Sequence, residues 1–548
     1  MGRSQSTSHF YQPIPLFYSM KFTARHISIL LLLLLCGTGT WSYAQVDDLK
    51  NLPELSLPLT DKKLVIAHCM TNIIRYKGHP FEDGCNPGYY AVKDNPTAAI
   101  GGMTQVNVLN ESLLKDASLD ESVEFEMLAA KRAGIDGFQF YYTLNDHGSD
   151  EIIKAYFRVA KKKSIDFKFT FCISHPSGSD ELQKINTFAQ RMNAIFESAG
   201  RDDQHWLRTP DGRLIIYMWY GEQLADIPQE AKFPDAYFAA RAFKRLAAAV
   251  NEKFACVYSI NEDIHQDVLN SYLDYFPATW MWTLPYKKNY TGKFVAATSK
   301  LRKRTFTGSA FNDFYTSKVL KPGTWDILNV NAAVKAGIGK LERKAIVTGL
   351  SANFRKMMEF NIDQDVPIIN IITWNDYPEG HHFAPESNHN DGFSLLLKYY
   401  KQQWLRLPMK VMNEQGIVFY KKYAAEIRPS PFDIPVIYVE KGATKPSGED
   451  GIEVVTILKD AAVLFVNADS ALVTGGFNVT RFKQQSGPVH VSAKRGNQLV
   501  FDFTPPEMIT DTPVRTDRLT YTYSNETEEY YKEIFGDKAP TKISFNNN

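Results

Sequence analysis

The chain has 548 residues, and its 62 lysines and arginines against 61 aspartates and glutamates leave a formal net charge of +1. Such a balance gives no strong electrostatic field for a nucleic acid or an anionic membrane surface, so neither partner is expected. The length exceeds the roughly 250–300 residues that one hydrophobic core organises. We therefore predict two domains, one of them large.

The N-terminal segment, residues 1–44, is predicted to be a secretory signal peptide. Lys21 and Arg25 precede an apolar run over residues 27–35, and residues 42–44 place small side chains before a cleavage site. The run is far shorter than the about 20 residues that cross a bilayer, so no integral membrane segment is expected. We therefore expect a secreted, periplasmic or cell-surface protein, and surface association is compatible with this route.

The cysteines are interpreted in the light of export. Cys36 ends the apolar run, but a lipid anchor there is disfavoured because a bulky leucine stands where lipidation signals have a small residue. An exported chain permits disulfides, and Cys69 and Cys85 are the pair closest in sequence. Buried free thiols are the alternative, above all for Cys172 and Cys256. No Cys-x-x-Cys spacing indicates zinc.

Residues 62–425 are predicted to form a (β/α)8 TIM-type barrel, preceded by a linker over residues 45–61. Short apolar runs alternate there with amphipathic stretches, the pattern of βα units on a parallel sheet. The eight runs are Leu64–Ala67, Ile135–Phe140, Phe167–Ile173, Leu214–Trp219, Ala255–Ile260, Thr279–Trp282, Arg304–Ser309 and Pro367–Thr373. Eight strands fit a barrel with enlarged loops, although the pattern alone also allows a doubly wound sheet.

Composition changes beyond residue 430. Several prolines mark a junction, and the following short runs are rich in β-branched and aromatic residues and are separated by Gly, Asn, Asp and Pro. Residues 430–548 are therefore predicted to form an all-β sandwich. Its role as an accessory domain is open: it either binds carbohydrate or packs against the barrel.

The densest polar cluster, residues 373–382, follows the last apolar run and reads Thr-Trp-Asn-Asp-Tyr-Pro-Glu-Gly-His-His. In TIM-type barrels the working residues lie at the carboxyl ends of strands and in the loops that follow. Asp376 and Glu379 supply the two carboxyl groups that glycosidic hydrolysis needs, one to protonate the leaving oxygen and one to activate water or attack. A solvated loop with a helix cap is the alternative. The apolar strand before the pair, Trp374 and the two histidines favour a site.

No metal site or cofactor is predicted. His381 and His382 are adjacent, so their side chains diverge, and no His-Glu-x-x-His spacing is present. The chain also lacks a phosphate-binding loop, a dinucleotide fingerprint and a Gly-x-Ser-x-Gly elbow.

The segment over residues 371–381 resembles the signature of glycoside hydrolase family 71, the α-1,3-glucanases or mutanases, in which a Thr-Trp-Asn-Asp string ends the last barrel strand. Residues 66–70 and 133–138 resemble the first two strands of that family. The resemblance covers roughly residues 62–405. The chain departs from the family at Pro378 and Gly380, where Gly and Ser are usual, which leaves the substrate open.

The resemblance implies an inverting hydrolase without a cofactor, with Asp376 and Glu379 as its catalytic carboxylates. By analogy with the similar family 99 barrel, Glu379 is assigned as general acid and Asp376 as base. The substrate-binding candidates are aromatic platforms and hydroxyl contacts: Trp282, Trp374, Tyr220, His68, Asp136, Asn375 and His381. A lone histidine such as His68 is more often structural, and Trp282 is equally compatible with barrel packing.

Three hypotheses remain open after the sequence is considered. The first is a secreted hydrolase of α-1,3-glucan or a related α-glycan, whose partner is an oligosaccharide or polysaccharide. The second keeps the barrel and both carboxylates but changes the polymer, for instance to an α-mannan. The third is a non-catalytic glycan-binding protein of the cell surface, which has no need for the carboxylate pair.

Overall fold

A computed structural model describes most of the chain beyond the N-terminal segment. The described residues are 59–79, 113–176, 178, 180–228, 235–260, 264–282, 291–316, 319–328, 330–386, 388–409, 411, 413–428, 434–438, 445–513 and 518–536. The predicted signal peptide, nearly all of the predicted linker, Cys36 and Cys85 lie outside them. Within these ranges, no helix has the length and apolar character to cross a membrane.

A closed parallel sheet forms the centre of the first half. Its strands are β1 (Leu64–Cys69), β2 (Gly137–Tyr142), β3 (Lys168–Ser174), β4 (Leu214–Trp219), β5 (Phe254–Ile260), β6 (Ala278–Met281), β7 (Thr305–Phe306), β8 (Gly308–Ala310) and β10 (Ile368–Ile371). They follow the order β7-β6-β5-β4-β3-β2-β1-β10-β8. Only Thr307 separates β7 from β8, so the two ends of the sheet belong to one continuous run and the sheet closes. The predicted TIM-type barrel is confirmed, and the doubly wound alternative is wrong because β10 pairs with both β1 and β8.

Helices follow the strands on the outside of the barrel. They are α1 (Leu119–Ala133), α2 (Ser149–Lys163), α3 (Glu181–Ala199), α4 (Asp235–Ala249), α5 (Gln266–Tyr275), α6 (Thr291–Leu301), α7 (Val330–Ala336), α8 (Ala352–Asp363) and α9 (Gly392–Trp404). α1 begins with a capping box, in which the Ser118 side chain accepts from the Glu121 N–H and the Glu121 carboxylate accepts from the Ser118 N–H. Gly134 then ends the helix at φ 96°, a left-handed conformation that glycine adopts without steric cost.

Polar side chains line part of the barrel interior. Asn370 of β10 accepts a 3.2 Å hydrogen bond from the Gln139 amide of β2 and donates a 3.0 Å bond to the Thr307 hydroxyl. All three residues are buried, so these bonds satisfy groups that have no access to water. The polar side chains tie together strands on both sides of the point where the barrel closes.

Two four-stranded antiparallel sheets follow the barrel. One has the order β16-β13-β11-β19 and the other β15-β14-β17-β18. Their strands are β11 (Gln415–Lys421), β13 (Gly451–Leu458), β14 (Ala462–Val466), β15 (Asp469–Val473), β16 (Gly476–Lys483), β17 (Val491–Arg495), β18 (Gln498–Phe503) and β19 (Thr520–Ser524). Buried side chains of both sheets form one apolar cluster, which includes Val454, Leu464 and Val491. The predicted β-sandwich is confirmed, and β11, which falls inside the 62–425 region expected to form the barrel, is one of its strands.

The sandwich packs directly on the barrel helices. Phe393 of α9 meets Phe419 of β11 edge-on with ring centroids 5.3 Å apart. A further short strand pair joins β9 (Arg343–Ala345) to β12 (Val436–Tyr438), and α10 (Thr527–Phe535) packs against α1 through Phe125 and Phe535. These contacts join the C-terminal part of the chain to the outer elements of the barrel.

Candidate active site

The loop after β10 carries the predicted carboxylates on one tight turn. Residues Tyr377–Glu379 form a single 3₁₀ turn that begins after Asp376. Gly380 ends it at φ 71°, and a side chain there would place its Cβ 2.6 Å from Leu519 and 3.2 Å from the Tyr315 backbone nitrogen. Glycine at 380, one of the two departures from the family 71 pattern, is therefore what this packing requires.

Asp376 precedes the 3₁₀ turn and Glu379 ends it, and their carboxylates lie close together. One oxygen of each carboxylate and one ring nitrogen of His381 lie within 4.8 Å of one another. Asp376 is buried, whereas the Glu379 side chain is 35% exposed. The more accessible carboxylate is therefore Glu379.

His381 connects both carboxylate-bearing residues through hydrogen bonds. Its Nε2 lies 3.0 Å from Glu379 Oε2, and its Nδ1 lies 3.2 Å from the Thr373 hydroxyl, which accepts a 2.8 Å bond from the Asp376 N–H. A proton on Nε2 lets the imidazole donate to Glu379 and accept from Thr373. Burial acts to lower the pKa of His381, but the hydrogen bond to Glu379 and the negative charges of Asp376 and Glu379 outweigh it and raise the pKa above its usual value.

His68, near the end of β1, is a buried neutral group beside this pair. Its ring meets Trp282 edge-on at 5.0 Å and Tyr141 edge-on at 5.7 Å between centroids. Burial, assisted by the charge of His381, lowers its pKa to about 3, so the ring is uncharged near neutral pH. Its Nδ1 makes no hydrogen bond within the described residues.

A row of aromatic rings runs away from the carboxylates along the carboxyl ends of β6 and β4. The aromatic row consists of Trp282, Trp219 and Tyr220, with Trp282 6.1 Å from His381, Trp219 4.3 Å from Trp282 and Tyr220 5.0 Å from Trp219. Both tryptophans are half-buried, and Tyr220 is 40% exposed and stacked on His175 at 4.6 Å. The partly exposed rings of the aromatic row offer apolar surface for an apolar or sugar-like ligand.

The structure thus brings Asp376, Glu379, His381, His68 and Trp282 together, with Tyr220 at the far end of the aromatic row. The remaining three candidates, Trp374, Asn375 and Asp136, lie elsewhere or are already engaged.

Trp374 points into the protein. It is fully buried, its ring lies 5.7 Å from that of Phe138, and its Nε1 donates a 2.5 Å hydrogen bond to Glu126 of α1. It therefore packs the barrel wall and offers no face to a ligand, which corrects its prediction as a stacking residue.

Asn375 is also buried and forms a two-bond clasp, accepting from the Met70 N–H at 2.8 Å and donating to the Met70 carbonyl at 2.9 Å. Its side chain amide is used to hold the loop after β1.

Asp136 lies at the opposite end of the barrel. It immediately precedes β2, accepts a 2.8 Å hydrogen bond from the Val65 N–H and forms a 2.7 Å ion pair with Lys401 of α9. Amino ends of barrel strands serve stability, whereas chemistry lies at the carboxyl ends. The prediction that Asp136 contacts substrate is therefore corrected to a structural role.

Two contributors to the site were missed by the sequence reasoning. Trp219 is the last residue of the predicted fourth strand, and attention to the final residue of each apolar run, as well as to the loop after it, would have identified it. Thr373 connects His381 to Asp376, and nothing in its local sequence distinguishes it from any other hydroxyl.

Among the described residues, Cys69, Cys172 and Cys256 are buried free thiols.

The donor atoms of Asp376, Glu379 and His381 are close enough to share a cation. The hydrogen bonds of His381 to Thr373 and Glu379 already engage both ring nitrogens. The three side chains therefore also fit a site without a metal. The absence of a metal and of a cofactor stays a prediction.

Comparison with known proteins gives distant structural similarity. No model of a protein family matches the chain, and no curated protein matches it. A GH99 endo-α-mannosidase from Bacteroides thetaiotaomicron is 12% identical, covers 64% of this chain and 99% of that chain, and gives a TM-score of 0.40. A glycosyl hydrolase family 2 member from Bacteroides cellulosilyticus is 11% identical, covers 81% of this chain and 46% of that chain, and also gives 0.40. At this identity and TM-score such similarity says nothing about activity, and membership of family 71 stays a hypothesis.

Proposed function

We propose that the protein is a secreted glycoside hydrolase whose chemistry is carried by Asp376 and Glu379. The observation that supports this most strongly is the carboxylate pair itself, which lies at the carboxyl end of the barrel, is held by His381 and adjoins the aromatic row. Paired carboxyl groups next to flat aromatic faces are the residue types that bind sugars and break glycosidic bonds.

Glu379 is proposed as the general acid, since it is the more exposed of the two and so has access to a leaving oxygen. His381 fixes the carboxyl group through Glu379 Oε2, which makes His381 a positioning residue. Asp376 is proposed as the second carboxylate. Its backbone N–H is fixed by Thr373, so its place relative to Glu379 is set by hydrogen bonds.

The spacing of the pair bears on stereochemistry. The resemblance to family 71 implies inversion, for which the two carboxyl groups are typically about 6.5–9.5 Å apart to hold a water. Here one oxygen of each carboxylate lies within 4.8 Å of the other, a nearest-oxygen limit that is compatible with either separation between the carboxyl groups. We therefore keep inversion, which the resemblance implies, as the proposed outcome.

The substrate is proposed to be an α-glycan. α-1,3-Glucan is the first candidate because of the resemblance of residues 371–381 to family 71, and α-mannan is the second because Pro378 and Gly380 alter the loop at the cleavage site. A neutral polymer is consistent with the net charge of +1. The orphaned Nδ1 of His68 is a candidate contact for a sugar hydroxyl.

A glycan panel tests the proposal. The mature protein is incubated with α-1,3-glucan, α-mannans and other α-glucans, and reducing ends are measured for wild type, Asp376→Asn and Glu379→Gln. We expect each variant to lose at least about 100-fold in kcat, as removal of an acid or base typically does. Asp502→Asn, an exposed carboxylate of the sandwich, is the matched control. Turnover that persists in both site variants would refute the assignment.

Two further readouts separate the alternatives. Proton NMR of the first product anomer decides between retention and inversion. If the wild type binds a glycan without releasing product, the non-catalytic binding function replaces the hydrolase. N-terminal sequencing of exported protein tests cleavage after Ala44.

A further inference from the structure

A second group of ionisable side chains lies deep in the loop between β10 and α9, under the sandwich. This buried histidine cluster consists of His382, Glu386 and His389, which are 0%, 0% and 2% exposed. The sandwich covers it directly, since the Thr522 N–H of β19 donates a 2.7 Å hydrogen bond to the carbonyl of Asn388. None of the three residues belongs to the carboxylate pair of the candidate active site.

The three side chains converge on one point. One ring nitrogen of each histidine and one oxygen of Glu386 lie within 4.8 Å of one another. His382 Nε2 is 3.0 Å from Glu386 Oε1, and His389 Nδ1 is 3.6 Å from the same oxygen. Bonds of about 2.0–2.1 Å around a tetrahedral zinc ion place ligand atoms roughly 3.3–3.5 Å apart. The observed separations bracket that value.

The polar atoms of the cluster are only partly satisfied by the protein. His389 Nδ1 lies 3.2 Å from the Asn312 amide nitrogen and from the His382 carbonyl oxygen. His382 Nδ1 makes no hydrogen bond within the described residues, and the contacts of His382 Nε2 with Glu386 and of His389 Nε2 with Asp313 lack hydrogen-bond geometry, although all three atoms are buried. Orphaned buried polar groups are costly and need an explanation.

Glu386 adds a buried negative charge. Its carboxylate accepts hydrogen bonds from the Asn388 and His389 N–H groups, at 2.7 and 2.6 Å. Among the described residues, no lysine or arginine forms an ion pair with it. A buried carboxylate without a lysine or arginine partner is costly, and a bound cation supplies the missing positive charge.

We propose that His382, Glu386 and His389 bind a zinc ion. His389 contributes Nδ1, where the ion replaces the 3.2 Å hydrogen bond from the Asn312 amide, and its Nε2 faces Asp313 Oδ2 at 3.6 Å, the arrangement in which a carboxylate orients a metal-bound histidine. Two imidazoles and a carboxylate suit zinc, and three protein ligands leave a fourth position for another oxygen. Because Asp313 also accepts from the Thr520 N–H of β19, the ion joins the loop after β10 to the sandwich.

The test measures zinc in the full-length mature protein and its binding after chelation. Wild type, His382→Gln and His389→Gln are compared by elemental analysis and by competition with a chromophoric chelator. His490→Gln, an exposed histidine of the sandwich, is the matched control, and His381→Gln reports on the active-site group. We expect about one zinc per wild-type chain, retained in His490→Gln and His381→Gln. Both cluster variants should bind at least about tenfold more weakly, since even loss of a supporting contact costs that much.

The wild type provides a readout that does not depend on the folding of any variant. Adding zinc to the chelated protein should raise its unfolding temperature, because an ion that binds only the folded state stabilises it. A wild type that contains no zinc and whose unfolding temperature is unchanged by zinc overturns the proposal. Zinc binding that survives in both cluster variants also overturns it. Zinc binding that is lost only in His381→Gln overturns it as well, because it would place the ion at Asp376 and Glu379.

Discussion

Replacing Glu126 by glutamine should stabilise the protein near neutral pH and flatten its dependence on pH. Glu126 lies on the buried face of α1 and accepts a hydrogen bond from Trp374 Nε1. Burial raises its pKa from 4.5 to about 7, although the hydrogen bond from Trp374 opposes the shift. Glutamine keeps an oxygen acceptor for Trp374 and cannot ionise.

The size of the effect comes from the two pKa values. In the unfolded chain the carboxyl loses its proton near pH 4.5, whereas the folded protein retains it until about pH 7. Between these values the folded state binds more protons, so the free energy of unfolding falls as the pH rises. A shift from 4.5 to about 7 corresponds to roughly 3 kcal/mol, at about 1.4 kcal/mol for each pH unit.

Urea denaturation at several pH values between about 4.5 and 8 measures this difference. The variant and the wild type should differ least at the acidic end, and the variant should become more stable by roughly 3 kcal/mol above pH 7. Glu197→Gln, an exposed glutamate of α3, serves as the control and should behave as the wild type does. Stability curves for Glu126→Gln and wild type that run parallel across the range would refute the reasoning.

Three further substitutions test the described geometry. Glu379→Gln removes a negative charge that raises the pKa of His381 and leaves only a neutral acceptor for its ring, so NMR titration should show that pKa below its wild-type value. An unchanged titration would contradict the contact. Gly137→Ala places a Cβ 2.5 Å from a backbone oxygen of β3, so it should lower the free energy of unfolding by about 1–3 kcal/mol in a urea titration. Gly339→Ala is the control: its Cβ meets no atom within 4 Å, and the free energy of unfolding should change by less than about 0.5 kcal/mol. Asp136→Asn removes the ion pair with Lys401 of α9, so it should lower the free energy of unfolding by roughly 1 kcal/mol and leave turnover per folded molecule unchanged. A loss of kcat with intact stability would restore a role at the substrate.

The strands were predictable because their signal is local. Each barrel strand is a short apolar run, since both faces of a parallel sheet are buried, and the run is readable without knowing its neighbours. The capping box at Ser118 and Glu121 is local for the same reason. Closure of the sheet was inferred only from the number of runs, and the pairing of the last strand, β10, with the first, β1, showed it.

The site was predictable only in part, because the direction of a side chain depends on distant partners. Trp374 and His381 are both near the end of the same strand, but the acceptor for the Trp374 ring lies 248 residues away on α1. The structural role of Asp136 was predictable, because this residue stands at the amino end of the apolar run Ile135–Phe140 and chain direction alone separates that end from the end that carries chemistry. The partner of Trp374 is not readable from its local sequence.

The clasp between Asn375 and Met70 has a consequence for biosynthesis. It joins residues 305 positions apart, so the loop that carries the carboxylates acquires its shape only after the last barrel strand has docked beside the first. Closing so long a loop is entropically costly and is characteristic of late steps in folding. A nascent chain that has emerged only as far as β8 displays the aromatic row without either carboxylate. The candidate active site is thus completed late in synthesis, when the barrel closes.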